Sequence, residues 1–143
     1  MEEVSNKMLV SQSQSQPGEI LAALKSLASS EVTELRIAVA YVTLSGCHTL
    51  LSDLSEIFGD EKWGHLNKTI VTSIDYGLTQ PAALRYLKET EGFEVRVAGA
   101  HMLEQSNLIP TSAFHSKFFA FLEQEHCSVL TGSANLTAKA LTI

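Results

Sequence analysis

The chain has 143 residues, 45% of them hydrophobic and 18% charged, with a net charge of −6. That length predicts one domain with one core, and the acidic balance argues against a broad non-specific nucleic-acid surface. No apolar run reaches the roughly 18 residues a membrane-spanning helix requires, and Met1-Glu2-Glu3 is acidic where a secretory signal is basic, so a cytoplasmic protein with no membrane association is expected.

In chain order, the polar, low-complexity stretch Ser11–Glu19 predicts that residues 1–17 form a flexible N-terminal arm; residues 18–143 are expected to be the folded domain. After Gly18, apolar residues at Ile20, Leu21, Leu24, Leu27 and Ala28 follow a helical period. Glu34–Thr43 is β-rich and almost continuously apolar, as a buried strand is. Gly46–Gly59 returns to helical spacing and stops at glycine. Asn67–Ile74 reads as a second strand. A helix follows from Pro81, with Thr79 as its expected cap. Phe93–Gly99 reads as a third strand, and a β-hairpin follows a loop that ends near Ser112. Helices alternating with strands predict an α/β fold: a mixed, largely parallel sheet with helices on both faces.

Cys47 and Cys127 fit no metal-binding spacing and are expected to be buried free thiols. No metal site and no cofactor are expected. His48, His65 and His101 fit no ligand spacing either and are expected to be surface or capping residues, and His126, beside the turn, is expected to be exposed. Trp63 is expected to pack under a loop.

The hairpin carries the chemistry. Strand side chains alternate between faces, so His115 and Lys117 share one face, roughly 7 Å apart. With a turn centred near Gln124, Lys117 faces Thr131 and His115 faces Ser133, and Asn135 lies just beyond, in a loop introduced by Gly132. An imidazole, an ammonium, a hydroxyl and an amide at one spot suit a phosphate group. The stretch with Asp75 and Tyr76, and the loop with His101 and Glu104, are candidate borders of a substrate groove.

His115-Ser-Lys117 followed by Gly132-Ser-Ala-Asn-Leu-Thr137 resembles the signature of the phospholipase D superfamily, H-x-K-x4-D with a nearby G-S-x-N. Ile37–Thr43 resembles the family's first core strand, and Gly77–Leu87 with Gly92–Val97 resembles the middle of its nuclease and restriction-enzyme branches. Two departures stand out. Leu122 occupies the position of the signature's aspartate, which tells more against a lipase than against a nuclease. The family also places a glutamate after the G-S-x-N asparagine to hold the histidine, and none follows Asn135 here, so a piece of a longer protein is expected.

The resemblance implies a phospholipase D-like catalytic domain over residues 18–143. It further implies a metal-free phosphodiesterase, foremost a DNA endonuclease domain of the restriction type, with DNA as its partner. His115 would be nucleophile or general acid, Lys117 and Asn135 phosphate ligands, and Ser133, Thr131 and Gly132 substrate contacts. One motif per chain implies a homodimer sharing one site, and a helicase or DNA-recognition domain is expected beyond residue 143. A phospholipase or phosphatidyltransferase, and a catalytically silent phosphate-binding or dimerisation module, remain the alternatives.

Overall fold

A computed structural model describes residues 6–143; the first five residues of the expected arm lie outside the described residues. Five strands form one sheet: β1 (Glu34–Val39), β2 (Asn67–Thr72), β3 (Phe93–Val97), β4 (Lys117–Leu122) and β5 (Cys127–Thr131). Their spatial order is β3-β2-β1-β4-β5. β1, β2 and β3 run parallel, and the β4–β5 hairpin lies antiparallel against β1. The mixed α/β sheet expected from the alternating pattern is therefore what the chain forms.

The helices are α1 (Glu19–Leu27), α2 (Leu44–Phe58), α3 (Asp60–His65), α4 (Pro81–Glu89), α5 (Ala100–Gln105) and α6 (Ala138–Thr142). Those that build the core gather on one face of the sheet rather than on both. Leu35, Ile37 and Val39 of β1 share a side with their register partners Ile70, Phe119 and Phe121, and all of these join one buried cluster with Leu24 of α1, Leu50, Leu51 and Leu54 of α2, Leu87 of α4 and Leu141 of α6. The cause is the strand order. The crossovers β1→β2 and β2→β3 step in the same direction, so right-handed connections put α2, α3 and α4 on the same side. Only a reversal of direction between parallel strands would send a helix to the other face. That other face carries Arg36 paired with Glu34 at 2.7 Å, Arg96 paired with Glu94 at 2.6 Å, and Val129, which is 52% exposed.

Local sequence explains the helix ends. Thr43 caps α2 by accepting a hydrogen bond from the Gly46 N–H, 3.1 Å, and Gly59, at φ +82°, closes it. Pro81 opens α4 in its first turn as expected. Thr79 is not its cap: Gln80 holds that position, and the buried Thr79 hydroxyl instead accepts from the Val42 N–H at 3.2 Å. Within the expected arm, Gln12 donates to the carbonyls of Ala140 and Ile143 and accepts from Ile20. Trp63 stacks against Phe58 and meets Phe93 edge-on. Cys47 is buried, but Cys127, at the start of the edge strand β5, is exposed: its side of the sheet is the one no core helix covers. Among the described residues no helix is long and apolar enough to cross a membrane.

Candidate active site

The residues singled out in the sequence lie at one end of the sheet, where β1, β2, β3 and β5 finish and β4 begins. β4 starts at Lys117, opposite Val39. His115 precedes the strand and is exposed. The chain reaches it by crossing over the end of β1: the Phe114 N–H donates to Asp75 beyond β2 at 3.1 Å, and three residues later Lys117 joins β1 from the other side. Asp75 is only 3% exposed, and its own N–H donates to the buried Ser73 hydroxyl at 2.8 Å. A buried carboxylate with such partners is a fixed anchor, and it pins the backbone one residue before His115.

Asn135 is anchored from the other direction. Past Val39, β4 no longer flanks β1, and the segment after β5 takes its place. The Leu136 N–H donates to the Tyr41 carbonyl at 3.2 Å, and the Thr43 N–H donates to the Leu136 carbonyl at 3.0 Å. In this zipper the Asn135 Oδ1 accepts the Tyr41 N–H at 3.1 Å. Because a backbone N–H demands an acceptor, the amide orientation is settled, and the Asn135 NH2 remains as a donor. Ala134 and Leu136, 6% and 0% exposed, bury the segment on both sides of the half-buried Asn135. Lys117 is half-buried, and its Nζ donates to the His115 carbonyl at 3.1 Å. His115, Lys117 and Asn135 thus border the same end of β1.

Thr131 does not join them as expected. The hairpin pairs Phe118 with Thr131 and Leu122 with Cys127, one residue away from the register that would set Thr131 against Lys117. The loop is the two residues Gln124 and Glu125, flanked by a Glu123 N–H to His126 carbonyl bond of 2.8 Å. A slip of one residue exchanges faces, so Thr131 lies on the uncovered face with Phe118, whereas Lys117 shares the core face with Phe119 and Phe121. The Thr131 hydroxyl bonds the Lys117 carbonyl at 3.2 Å, and the Gly132 N–H reaches the same carbonyl at 3.3 Å. Gly132 and Ser133 are exposed, and a side chain at position 132 would meet nothing within 4 Å.

The sequence did not point to Tyr41, whose backbone holds Asn135, and it treated Asp75 as a groove border instead of a buried anchor. His48 lies on α2 against Tyr86, and His65 bonds the Glu61 carbonyl within α3. Among the described residues no three His, Cys, Asp or Glu side chains gather as a metal ion would need. A cavity of about 720 Å³ lies at the opposite end of the sheet among Val32, Thr33, Phe58, Lys62 and Leu66. The candidate site is open surface.

The architecture is a mixed α/β fold built on one five-stranded sheet. Among solved structures the chain matches NucT from Helicobacter pylori, with a TM-score of 0.54 and 19% identity over 85% of this chain and 70% of that one. At that identity the likeness speaks for the fold. No protein-family model and no curated protein matches the chain.

Proposed function

We propose that the chain is a metal-independent phosphodiesterase, a cytoplasmic DNA endonuclease domain acting through a phosphohistidine at a site shared by two copies. The observation that carries this reading is the placement of His115, Lys117 and Asn135 around the end of β1, with Asn135 locked by the Tyr41 N–H so that its NH2 is left to donate. A ring nitrogen of His115 attacks phosphorus and forms the P–N bond. The P–O bond to the leaving nucleotide breaks, and the second copy's histidine protonates that oxygen. Water then displaces the histidine from phosphorus, giving its proton back to the second histidine. Lys117 and the Asn135 amide hold the phosphoryl oxygens as negative charge grows. Ser133 and the open space beside Gly132 admit the phosphate close to the backbone. A fused helicase or DNA-recognition domain would supply the target.

The test is cleavage of a labelled DNA oligonucleotide in EDTA. Activity should persist, vanish in a folded His115→Ala protein, and fall on dilution with the dimer fraction. A requirement for Mg²⁺ removes the histidine mechanism, and full activity from a sedimenting monomer removes the shared site. Binding without cleavage favours the silent phosphate-binding module.

A further inference from the structure

Past Val39 the backbone of β1 runs on in strand fashion, although neither neighbouring strand accompanies it. β2 ends at Thr72, and β4 begins only opposite Val39. Successive residues of an extended chain turn their peptide groups to opposite sides, and here each side meets a substitute for the missing strand. Toward β4, the Tyr41 N–H donates to Asn135 Oδ1 at 3.1 Å, the Tyr41 carbonyl accepts from the Leu136 N–H at 3.2 Å, and the Thr43 N–H donates to the Leu136 carbonyl at 3.0 Å. Toward β2, the Val42 N–H donates to the Thr79 hydroxyl at 3.2 Å, and the Val42 carbonyl accepts from the Gln80 N–H at 3.0 Å. The Leu44 N–H donates to Gln80 Oε1 on the same side at 2.8 Å.

Asn135 is thus fixed to one edge of a strand extension whose other edge is fixed by Thr79 and Gln80. The loop that carries Thr79 also reaches the approach to His115, because its Asp75 carboxylate accepts the Phe114 N–H at 3.1 Å. Between the two contacts lies a short 3-10 turn, Asp75–Gly77, in which the Gly77 N–H donates to the Ile74 carbonyl at 3.0 Å and the Leu78 N–H to the Asp75 carbonyl at 3.2 Å. Asp75, Thr79 and Val42 are 3, 4 and 0% exposed, so water does not replace a bond lost there. Gln80 is exposed, and water can stand in for its side chain.

We infer that the loop from Asp75 to Thr79 sets the spacing between His115 and Asn135, with Asp75 and Thr79 as positioning residues that each act through a backbone N–H. This rests on the phosphodiesterase reading above and adds how the two halves of its site are held in register. A threonine just before Pro81 would ordinarily be explained as a helix cap, but Thr79 does not cap α4. Its oxygen serves the strand extension instead, on the edge opposite Asn135. Without that oxygen the Val42 N–H is a buried donor with no acceptor. The extension regains a partner only by shifting, and it carries Asn135 and Leu136 with it.

The experiment compares wild type with Thr79→Val, which keeps the shape and removes the acceptor, and with Thr79→Ser, which keeps the oxygen, all below their melting transitions. In amide NMR spectra Thr79→Val should move the Tyr41 N–H and the Asn135 side-chain NH2 and, through the loop, the Phe114 N–H. Thr79→Ser should leave all three near their wild-type places. On a DNA oligonucleotide in EDTA, kcat of Thr79→Val should fall about 10- to 100-fold with KM nearly unchanged, and Thr79→Ser should recover it. A threonine that only stabilises the fold would lower the melting temperature and leave kcat of the folded protein where it was. Asp75→Asn weakens the other contact at constant shape and reads the coupling from the opposite end of the loop. It should move the Asn135 NH2, and an unmoved one overturns the inference even where Thr79→Val does not fold. Unmoved Asn135 and Phe114 resonances in Thr79→Val overturn it too, and moved resonances with an unchanged kcat overturn the positioning role. If wild type cleaves nothing, the phosphodiesterase reading fails, and the same resonances still decide whether the loop sets the spacing.

Discussion

Gly46 sits in the first turn of α2 with its Cα against the backbone that carries Asn135. A methyl group there would lie 2.2 Å from the Leu136 oxygen, 2.5 Å from its carbonyl carbon and 2.6 Å from the Thr137 Cα. All three are backbone atoms, so no side chain can swing aside. Restoring ordinary contact distances requires helix and segment to part by about 1 Å. Gly46→Ala therefore sets two effects against each other. Alanine in a helix is favoured by up to about 1 kcal/mol, and forced overpacking costs about 1–3 kcal/mol. The clash should win by about 1–2 kcal/mol, which for a chain of this size lowers the melting temperature by about 3–8 °C. The segment that must move is zipped to Tyr41 and Thr43 by three hydrogen bonds, so Asn135 moves with it. If Asn135 holds the phosphate as proposed, a displacement near 1 Å should cost about 100-fold in rate. Differential scanning calorimetry and oligonucleotide cleavage measure the two effects. A Gly46→Ala protein that melts higher than wild type, as helix propensity alone dictates, would refute the packing argument.

Lys68 and the two thiols give further predictions. The Lys68 side chain is buried at 1% exposure, with its Nζ donating to the Leu66 carbonyl at 3.0 Å and to the Trp63 carbonyl, 4.4 Å from the Trp63 ring centre. Lys68→Met strands those carbonyls at the end of α3 and should cost about 1–3 kcal/mol at neutral pH. Burial lowers the Lys68 pKa from 10.5, with Glu91 opposing. Between the lowered folded value and 10.5 the unfolded chain binds the proton that the folded one has lost, so stability rises with pH there. The gap between wild type and Lys68→Met should therefore widen as pH approaches 10.5, and a narrowing gap in urea melts contradicts the assignment. The Cys47 thiol is pushed up to about 12 by burial, and Cys127 is exposed; a thiol reagent at pH 8 should titrate one cysteine in the native protein and two in guanidinium. Two fast-reacting native thiols would show that α2 does not bury Cys47 against the core.

Periodicity made most of the elements legible. Alternate residues Leu35, Ile37 and Val39 mark a strand face, and Cys47, Leu50, Leu51 and Leu54 mark a helix stripe. The side on which the helices lie was not legible, because it follows from the strand order β3-β2-β1-β4-β5, which no local pattern encodes. The hairpin register was missed for a chemical reason: Glu123-Gln-Glu-His126 contains no glycine, asparagine or proline to fix the turn. At the candidate site, the sequence singled out side chains but not the backbone and carboxylate that support them. Asn135 is held by a backbone N–H from position 41, and the chain before His115 by a carboxylate from position 75, contacts that only the folded topology creates.

The same supports bear on how such a site would work. It is an open edge, and its one nearby cation in the hairpin and its flanking loops, Lys117, carries a single charge. One ammonium does not balance a phosphoryl group in transfer, so in the proposed mechanism the second copy contributes charge as well as an acid. Two such lysines would neutralise about two phosphates of a single strand and give a log–log salt slope near −1.4, far shallower than that of a protein gripping a duplex backbone. With so little of the affinity residing in phosphate contacts, the proposed mechanism needs the remainder from contacts to the bases or from an attached recognition domain. A steep salt dependence would mean that an unrecognised cationic surface, and not these loops, holds the strand.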